Sequence, residues 1–253
     1  MKIDINSPIV QHLISYPKFN YFVYQERIKE LIDLGVEEFT FSGPTKIDNL
    51  NILGKGHSGI VVKVNTNRGK NLALKIRRSD SPRKNSYEEA KMMIIANLLD
   101  IGPKLIDQKK DFILMELIDG KKISVWIDEQ SNCNNLISKQ AVKKVINEIL
   151  EQCYHLDGIY LDHGELTRID NHIIISYEKK GVIIDFESSS INRKTTNVTS
   201  ITHSLILGGL LAKKIKKILD FNKEDLMVEN LREYKKEKNR ENFEKIISLI
   251  IQS

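Results

Sequence analysis

The chain has 253 residues, with 39 basic and 34 acidic side chains for a formal net charge of +5, and 41% of it is hydrophobic. That length is sufficient for two modest lobes and a sizeable core. Its two cysteines, Cys133 and Cys153, have a spacing that suits neither a zinc site nor a redox pair, which excludes a disulfide framework and points to a reducing compartment. No apolar run approaches the ~20 residues of a membrane span, and the first residues hold no apolar signal core. The expectation is a cytoplasmic protein with no membrane partner.

Residues 20 to 34 have helical spacing, with Phe22, Ile28, Leu31 and Ile32 set to line one face and Gly35 ending the run. Residues 36 to 41 alternate as a short strand, and Ser42-Gly43-Pro44 turns the chain. Residues 1–49 are therefore predicted as an N-terminal extension, a helix plus a short strand. The first 50 residues carry five Lys/Arg against seven Asp/Glu. Strands at roughly 50 to 56, 60 to 65 and 71 to 77 make an antiparallel sheet, with Asn67-Arg68-Gly69-Lys70 as a hairpin turn.

Over residues 63 to 84, eight basic side chains face Asp80 alone. Such a block suits a polyanionic partner, or is a solvated lysine-rich surface. Ser81-Pro82 reads as an N-cap followed by proline at the first helical position, opening a helix through Glu88 and Glu89 that ends near residue 100. Ser86-x-x-Glu89 is a rival capping box that starts the helix later. In the first register Glu89 can pair with Lys75; in the second it caps the backbone.

Residues 112 to 117 read as a buried strand running into Asp119-Gly120, a hinge between one lobe at 50–118 and another at 119–253. Residues 139 to 156 form an amphipathic helix with Val142, Val145, Ile146, Ile149, Leu150 and Cys153 on its apolar stripe. Further helices follow, including 239 to 251, and residues 213 to 240 hold ten basic against six acidic side chains. The predicted class is α+β, an antiparallel-sheet lobe followed by a helical one.

Chemistry concentrates in four places. Gly54-Lys55-Gly56-His57-Ser58-Gly59 precedes the β-branched run Ile60-Val61-Val62. Glycines let a backbone lie against phosphates, and continuation into a strand instead of a helix separates the pattern from dinucleotide-binding loops. Leu72-Ala73-Leu74-Lys75 then offers a lysine at phosphate-binding distance. Downstream lie His163-Gly164-Glu165-Leu166-Thr167, Asp170-Asn171-His172 and Ile183-Ile184-Asp185-Phe186-Glu187. They supply a carboxylate to accept a hydroxyl proton and, brought together by a short β-hairpin, two oxygen ligands for Mg²⁺. Taken singly, each has a bland reading, since Asp and Asn are common in turns and His163 can simply hold a loop.

Together these segments resemble the protein-kinase-like superfamily over roughly residues 50 to 205. They are most similar to the small atypical archaeal kinases near the RIO kinases and the kinase of the KEOPS tRNA-modification complex. The resemblance implies a two-lobed kinase-like fold and ATP with Mg²⁺ as cofactors. Gly54, Gly56 and Gly59 would form the phosphate loop, Val61 and Ala73 cover adenine, Lys75 hold the phosphates and Glu89 orient Lys75. Met115, Glu116 and Leu117 would form the adenine-side hinge, and Asn171 and Asp185 bind metal.

The departures are informative. Glu165 replaces the usual catalytic aspartate. Thr167 stands where protein kinases carry lysine, with Arg168 next as the catalytic cation. Asp170 falls at the metal-ligand position by count, and Asn171, one later, abuts the strand and is preferred. Glu187 follows Phe186 where glycine is usual, and no Ala-Pro-Glu motif follows, so a peptide-docking platform is missing. Residues 192 to 200 stand there instead, polar and basic as a phosphate-contacting loop is.

The combination is similar to archaeal kinases first labelled as predicted Ser/Thr protein kinases, members of which are associated with phosphorylating a ribose 2′-hydroxyl in tRNA. The leading expectation is a kinase whose acceptor and partner is RNA. The alternatives are a Ser/Thr protein kinase with a protein substrate, RIO-like and autophosphorylating, a small-molecule kinase, and an ATP-binding pseudokinase scaffold.

Overall fold

Period-two burial organises the first half of the chain. The computed structural model describes residues 2–67, 69–133 and 136–253, and these fall into two units: residues 1–97 with 103–117, and residues 98–102 with 118–253. The architecture is mixed α and β with an antiparallel sheet.

The first unit runs β1 (Lys2–Asp4), α1 (Pro8–Ile14), α2 (Tyr21–Asp33), β2 (Val36–Thr40), β3 (Thr45–Ile47), β4 (Leu50–Ile52), β5 (Gly54–Lys55), β6 (Gly59–Thr66), β7 (Gly69–Arg77), α3 (Tyr87–Asn97), β8 (Leu105–Gln108) and β9 (Phe112–Glu116). Six strands follow the order β1-β2-β6-β7-β9-β8, with β5 pairing β6, and β3-β4 is a separate hairpin. All pairings in this sheet are antiparallel. Residues 1–49 thus contribute β1 and β2 to the same sheet as the glycine-rich segment. Arg68 of the expected β6-β7 turn lies outside the described residues; beside it Thr66 Oγ1 accepts the Gly69 N–H at 3.0 Å.

Alternation along β6, β7 and β9 sends Ile60, Val62, Val64, Leu74, Ile76, Phe112 and Leu114 into one core with Val10, Leu13 and Ile14 of α1, Leu31 of α2, and Phe39. By the same alternation, and by the register that sets Val61 opposite Lys75 and Ala73 opposite Met115, those four residues share the other face.

Helix α2 forms where expected, with the Asn20 side chain accepting the Phe22 and Val23 N–H groups. Its buried face is different. Phe22 and Ile32 are 79% and 64% exposed, while Arg27 and Leu31 are buried and Tyr24 and Ile28 pack beside them. A cation occupies the core position, which an apolar pattern cannot register. Arg27 Nε donates to Asp111 Oδ2 at 3.0 Å and Nη1 to the Ile14 carbonyl at 2.5 Å, and Asp111 also pairs with Arg77. Burial pushes the Asp111 carboxyl up, yet Arg27 and Arg77 together hold it below its usual value.

The second unit contains β10 (Gly120–Lys122), α4 (Ile123–Cys133), α5 (Leu136–Gly158), α6 (Ile169–His172), β11 (Ile173–Ser176), β12 (Gly181–Ile183), α7 (Asn197–Thr202), α8 (Gly209–Leu219), α9 (Glu224–Lys236) and α10 (Arg240–Ile251). The three strands form one antiparallel sheet, β10-β11-β12. Helix α5 buries the expected stripe, Val142, Val145, Ile146, Ile149, Leu150 and Cys153. Tyr154 of α5 stacks on Phe243 of α10 with centroids 4.5 Å apart. Among the described residues no helix is long and apolar enough to cross a membrane.

Candidate active site

In the first unit the glycine-rich segment is a closed turn between β5 and β6, with the Gly56 N–H donating to the Gly59 carbonyl at 2.8 Å. A Cβ at Gly59 would stand 3.1 Å from the Ile76 carbonyl oxygen and 3.3 Å from Lys75 Cε. Gly59 therefore lets the Lys75 side chain run close along the backbone. A Cβ at Gly54 would meet nothing within 4 Å, and one at Gly56 only the Gly59 carbonyl at 3.6 Å. The fold has no steric need for glycine at those two positions, whereas a ligand lying against the backbone would.

Lys75 Nζ donates to Glu89 Oε1 at 2.7 Å, with the two side chains 11% and 9% exposed. Helix α3 starts at Tyr87, the later of the two expected registers, and the ion pair forms nonetheless. The Ser86 N–H, which a capping-box glutamate would reach, donates to the Lys110 carbonyl at 2.8 Å, and Asn85 Oδ1 takes the Tyr87 N–H at 3.1 Å. Other groups thus do the capping, and the Glu89 carboxylate turns to Lys75. The two registers were not the exclusive alternatives that the capping-box pattern suggests.

Ala73, Val61 and Met115 lie on the Lys75 face. Glu116 alternates to the other, where Oε2 accepts the Lys104 N–H at 3.2 Å, so on the Lys75 side it can contribute only main chain. Leu117 follows β9 and is half-buried.

In the second unit the segment after α5 turns sharply at Gly164, at φ +89°, where a Cβ would come 2.1 Å from Arg193 Nη2. Glu165 comes next and both its oxygens are engaged. The Ser188 hydroxyl donates to Oε1 at 2.8 Å, and His172 Nε2 lies 3.0 Å from Oε2. Arg168 is exposed, and its carbonyl accepts the Asn171 N–H at 3.0 Å.

Asp170 serves the scaffold: Oδ1 accepts the Ser124 N–H at the start of α4 at 3.1 Å, and Oδ2 is 3.7 Å from Lys122 Nζ. Asn171 is exposed. The β11-β12 hairpin is closed beside it by the Ile184 N–H donating to the His172 carbonyl at 2.9 Å. Asp185 then adopts φ +67°, ψ +77°, a left-handed conformation that costs a non-glycine residue about 1 kcal/mol or more and clusters at functional sites.

His163 lies under this turn. Its Nε2–H donates to the Ile184 carbonyl at 3.0 Å, and its ring meets His172 and Phe186 edge-on, with centroids 5.2 and 5.3 Å away. Burial, with His172 adjacent, brings its pKa down to about 4, so it is a neutral donor at neutral pH.

Within residues 192 to 200, expected as a phosphate-contacting loop, Asn192 and Lys194 are exposed while Arg193 and Asn197 brace the scaffold. Arg193 pairs with the Asp162 carboxylate and donates to the Ser188 carbonyl at 2.6 Å. Buried Asn197 accepts the His163 N–H at 2.8 Å and donates to Asp157 Oδ1 at 2.9 Å and the Leu161 carbonyl at 2.7 Å. Tyr234 of α9 donates to Asp157 Oδ2 at 3.0 Å.

Sequence reasoning missed Ser188, the contact of His172 with Glu165, and the Asp157-Asn197 hub. The histidine after Asn171 was the one visible signal, since a polar residue at the mouth of a buried strand needs a partner.

No family model matches this chain. A curated protein of Methanocaldococcus jannaschii described as an uncharacterized protein, MJ1211, is 29% identical over 124 residues, which is 48% of this chain and 99% of that protein.

Proposed function

We propose that this chain is an ATP- and Mg²⁺-dependent phosphotransferase of two-lobed, protein-kinase-like fold, whose acceptor is a hydroxyl of RNA, such as a tRNA ribose 2′-hydroxyl. The observation that carries the reading is the buried Lys75–Glu89 pair packed against Gly59. A lysine desolvated and aimed by the Glu89 carboxylate, beside a loop where a Cβ at Gly54 or Gly56 would clash with nothing in the fold, fits a bound triphosphate.

Bound Mg²⁺-ATP would supply the phosphoryl group to be transferred. Gly54, Gly56 and Gly59 would admit the phosphates, Lys75 would neutralise them, and Glu89 keeps the ammonium in place. Val61, Ala73, Leu117 and the Glu116 main chain would border the adenine. Asn171 and Asp185 would hold the metal, a choice favoured over Asp170 because both Asp170 oxygens already face α4 and Lys122. Glu165 would accept the hydroxyl proton, with His172 and Ser188 fixing its carboxylate. Arg168, exposed at the same turn, supplies a cation near the transferred charge. The basic block at residues 63 to 84 and the lack of an Ala-Pro-Glu motif after Phe186 favour a polyanionic acceptor over a docked peptide.

The test is transfer from γ-labelled ATP to total tRNA, with Glu165→Gln as control. Label in RNA that drops at least about a hundredfold in the variant is expected. Label confined to protein would replace this reading with a protein kinase. Label in neither RNA, protein nor a metabolite pool would end the enzymatic reading.

A further inference from the structure

The α1-α2 connector and the start of α2 expose three aromatic rings within four residues: Phe19 at 50%, Tyr21 at 60% and Phe22 at 79%. Tyr21 and Phe22 meet edge-on at 6.1 Å, and Phe19 lies 6.4 Å from Tyr24. Large apolar rings exposed this close together in the chain offer a surface for binding.

Cations lie along the same connector. Lys18 is exposed beside Phe19, and Lys55 Nζ and Arg78 Cζ sit 5.4 and 5.5 Å from the Tyr16 ring. Lys55 belongs to the glycine-rich turn, so the connector that carries Phe19 meets that turn through Tyr16. The connector is fixed there, since the Ser79 N–H and hydroxyl donate to the Tyr16 and Ser15 carbonyls at 2.8 and 3.0 Å. The acids nearby are Asp80, which faces Arg78 through both oxygens, and Glu26 on the next turn of α2.

From Arg78 the same loop leads to a pocket of about 230 Å³ lined by Ser58, Lys75, Arg77, Arg83, Lys84 and the carboxylates Glu88 and Glu89. Arg83 and Lys84 are exposed at its edge.

We propose that Phe19, Tyr21 and Phe22 form a stacking platform for unpaired bases of an RNA strand whose phosphates run past Lys18 and Lys55 to Arg83 and Lys84. Exposed rings with cations along the same connector match a single strand, in which every base offers a π-face and every nucleotide a charge. A duplex hides those faces, so the platform selects unpaired segments. This deepens the RNA-acceptor reading and rests on it for the identity of the polyanion.

The experiment measures binding of the full chain, without nucleotide, to a fluorescein-labelled single-stranded oligouridylate and to a blunt RNA duplex. The single strand is expected to bind more tightly. Phe19→Ala/Tyr21→Ala/Phe22→Ala is expected to weaken it about tenfold or more, and the corresponding triple leucine variant is not expected to restore it. Arg83→Ala/Lys84→Ala is expected to flatten the salt dependence. All three rings are exposed, so melting temperatures are expected to match wild type, which separates lost binding from lost folding. Equal affinity in the alanine variant, recovery in the leucine variant as for an apolar protein contact, tighter duplex binding, or no binding by wild type would each overturn the platform. None of these decides phosphotransfer, which is read by label and Glu165→Gln.

Discussion

A lysine 2.7 Å from a glutamate, both nearly out of water, is a costly arrangement, and removing one partner takes a close counter-charge from a buried ion. Lys75→Met is expected to lose about 3 kcal/mol of stability in urea denaturation, with Lys75→Met/Glu89→Leu recovering most of it. Transfer is expected to remain at least about a hundredfold down in both variants. Recovered stability without recovered activity is the signature of a pair kept for chemistry; wild-type turnover in either variant would remove Lys75 from the site.

His163 gives a pH-dependent readout at the same scale. Its folded pKa of about 4 lies below the ordinary 6.5, so the unfolded chain takes the proton first. The stability it contributes is complete above pH 6.5 and is lost as pH falls toward 4, on the order of 3 kcal/mol. Burial raises the Asp157 carboxyl, whose protonation favours the folded state on acidification. The His163 effect is therefore read as the difference between wild type and His163→Gln, which is expected to have a flatter profile between those pH values.

At the scale of elements, α5 and α2 show what a hydrophobic pattern can and cannot reveal. From Val142 to Cys153 every buried position of α5 is apolar, so spacing alone identifies its buried face. In α2 the buried stripe contains Arg27, and the pattern is right at Ile28 and Leu31 but wrong at Phe22 and Ile32. The guanidinium is retained because it joins α2 to the Ile14 carbonyl of α1 and to Asp111 at the β8-β9 turn. Arg27→Ala is expected to cost about 3–5 kcal/mol in a denaturant titration, more than the exposed control Phe22→Ala, because it leaves Asp111 with Arg77 alone among its cations. A loss no larger than the control's would show that the buried Arg27 guanidinium does not hold α2 in place. The start of α3 teaches a related lesson: capping depends on which distant carbonyl reaches Ser86, and that carbonyl belongs to Lys110.

Across the whole molecule, each unit carries part of the proposed chemistry: the glycine turn with Lys75 and Glu89 in one, and Glu165, Asn171 and Asp185 in the other. If Mg²⁺-ATP binds the folded chain, a hundredfold excess over its Kd adds about 2.7 kcal/mol, and melting is expected to rise by several degrees. Chelating the metal, or Lys75→Met, is expected to remove the rise; no shift in wild type would count against nucleotide binding. The glycine turn, the lysine strand, the β11-β12 hairpin and the acidic residues around it were legible from spacing, because each depends on neighbours a few residues away. The joining of β1 and β2 to the central sheet, the burial of Arg27, the clasp of His172 and Ser188 on Glu165 and the scaffold role of Arg193 and Asn197 were not. Those depend on partners dozens of positions distant, and the free energy that selects them exists only once loops have closed and water has been expelled.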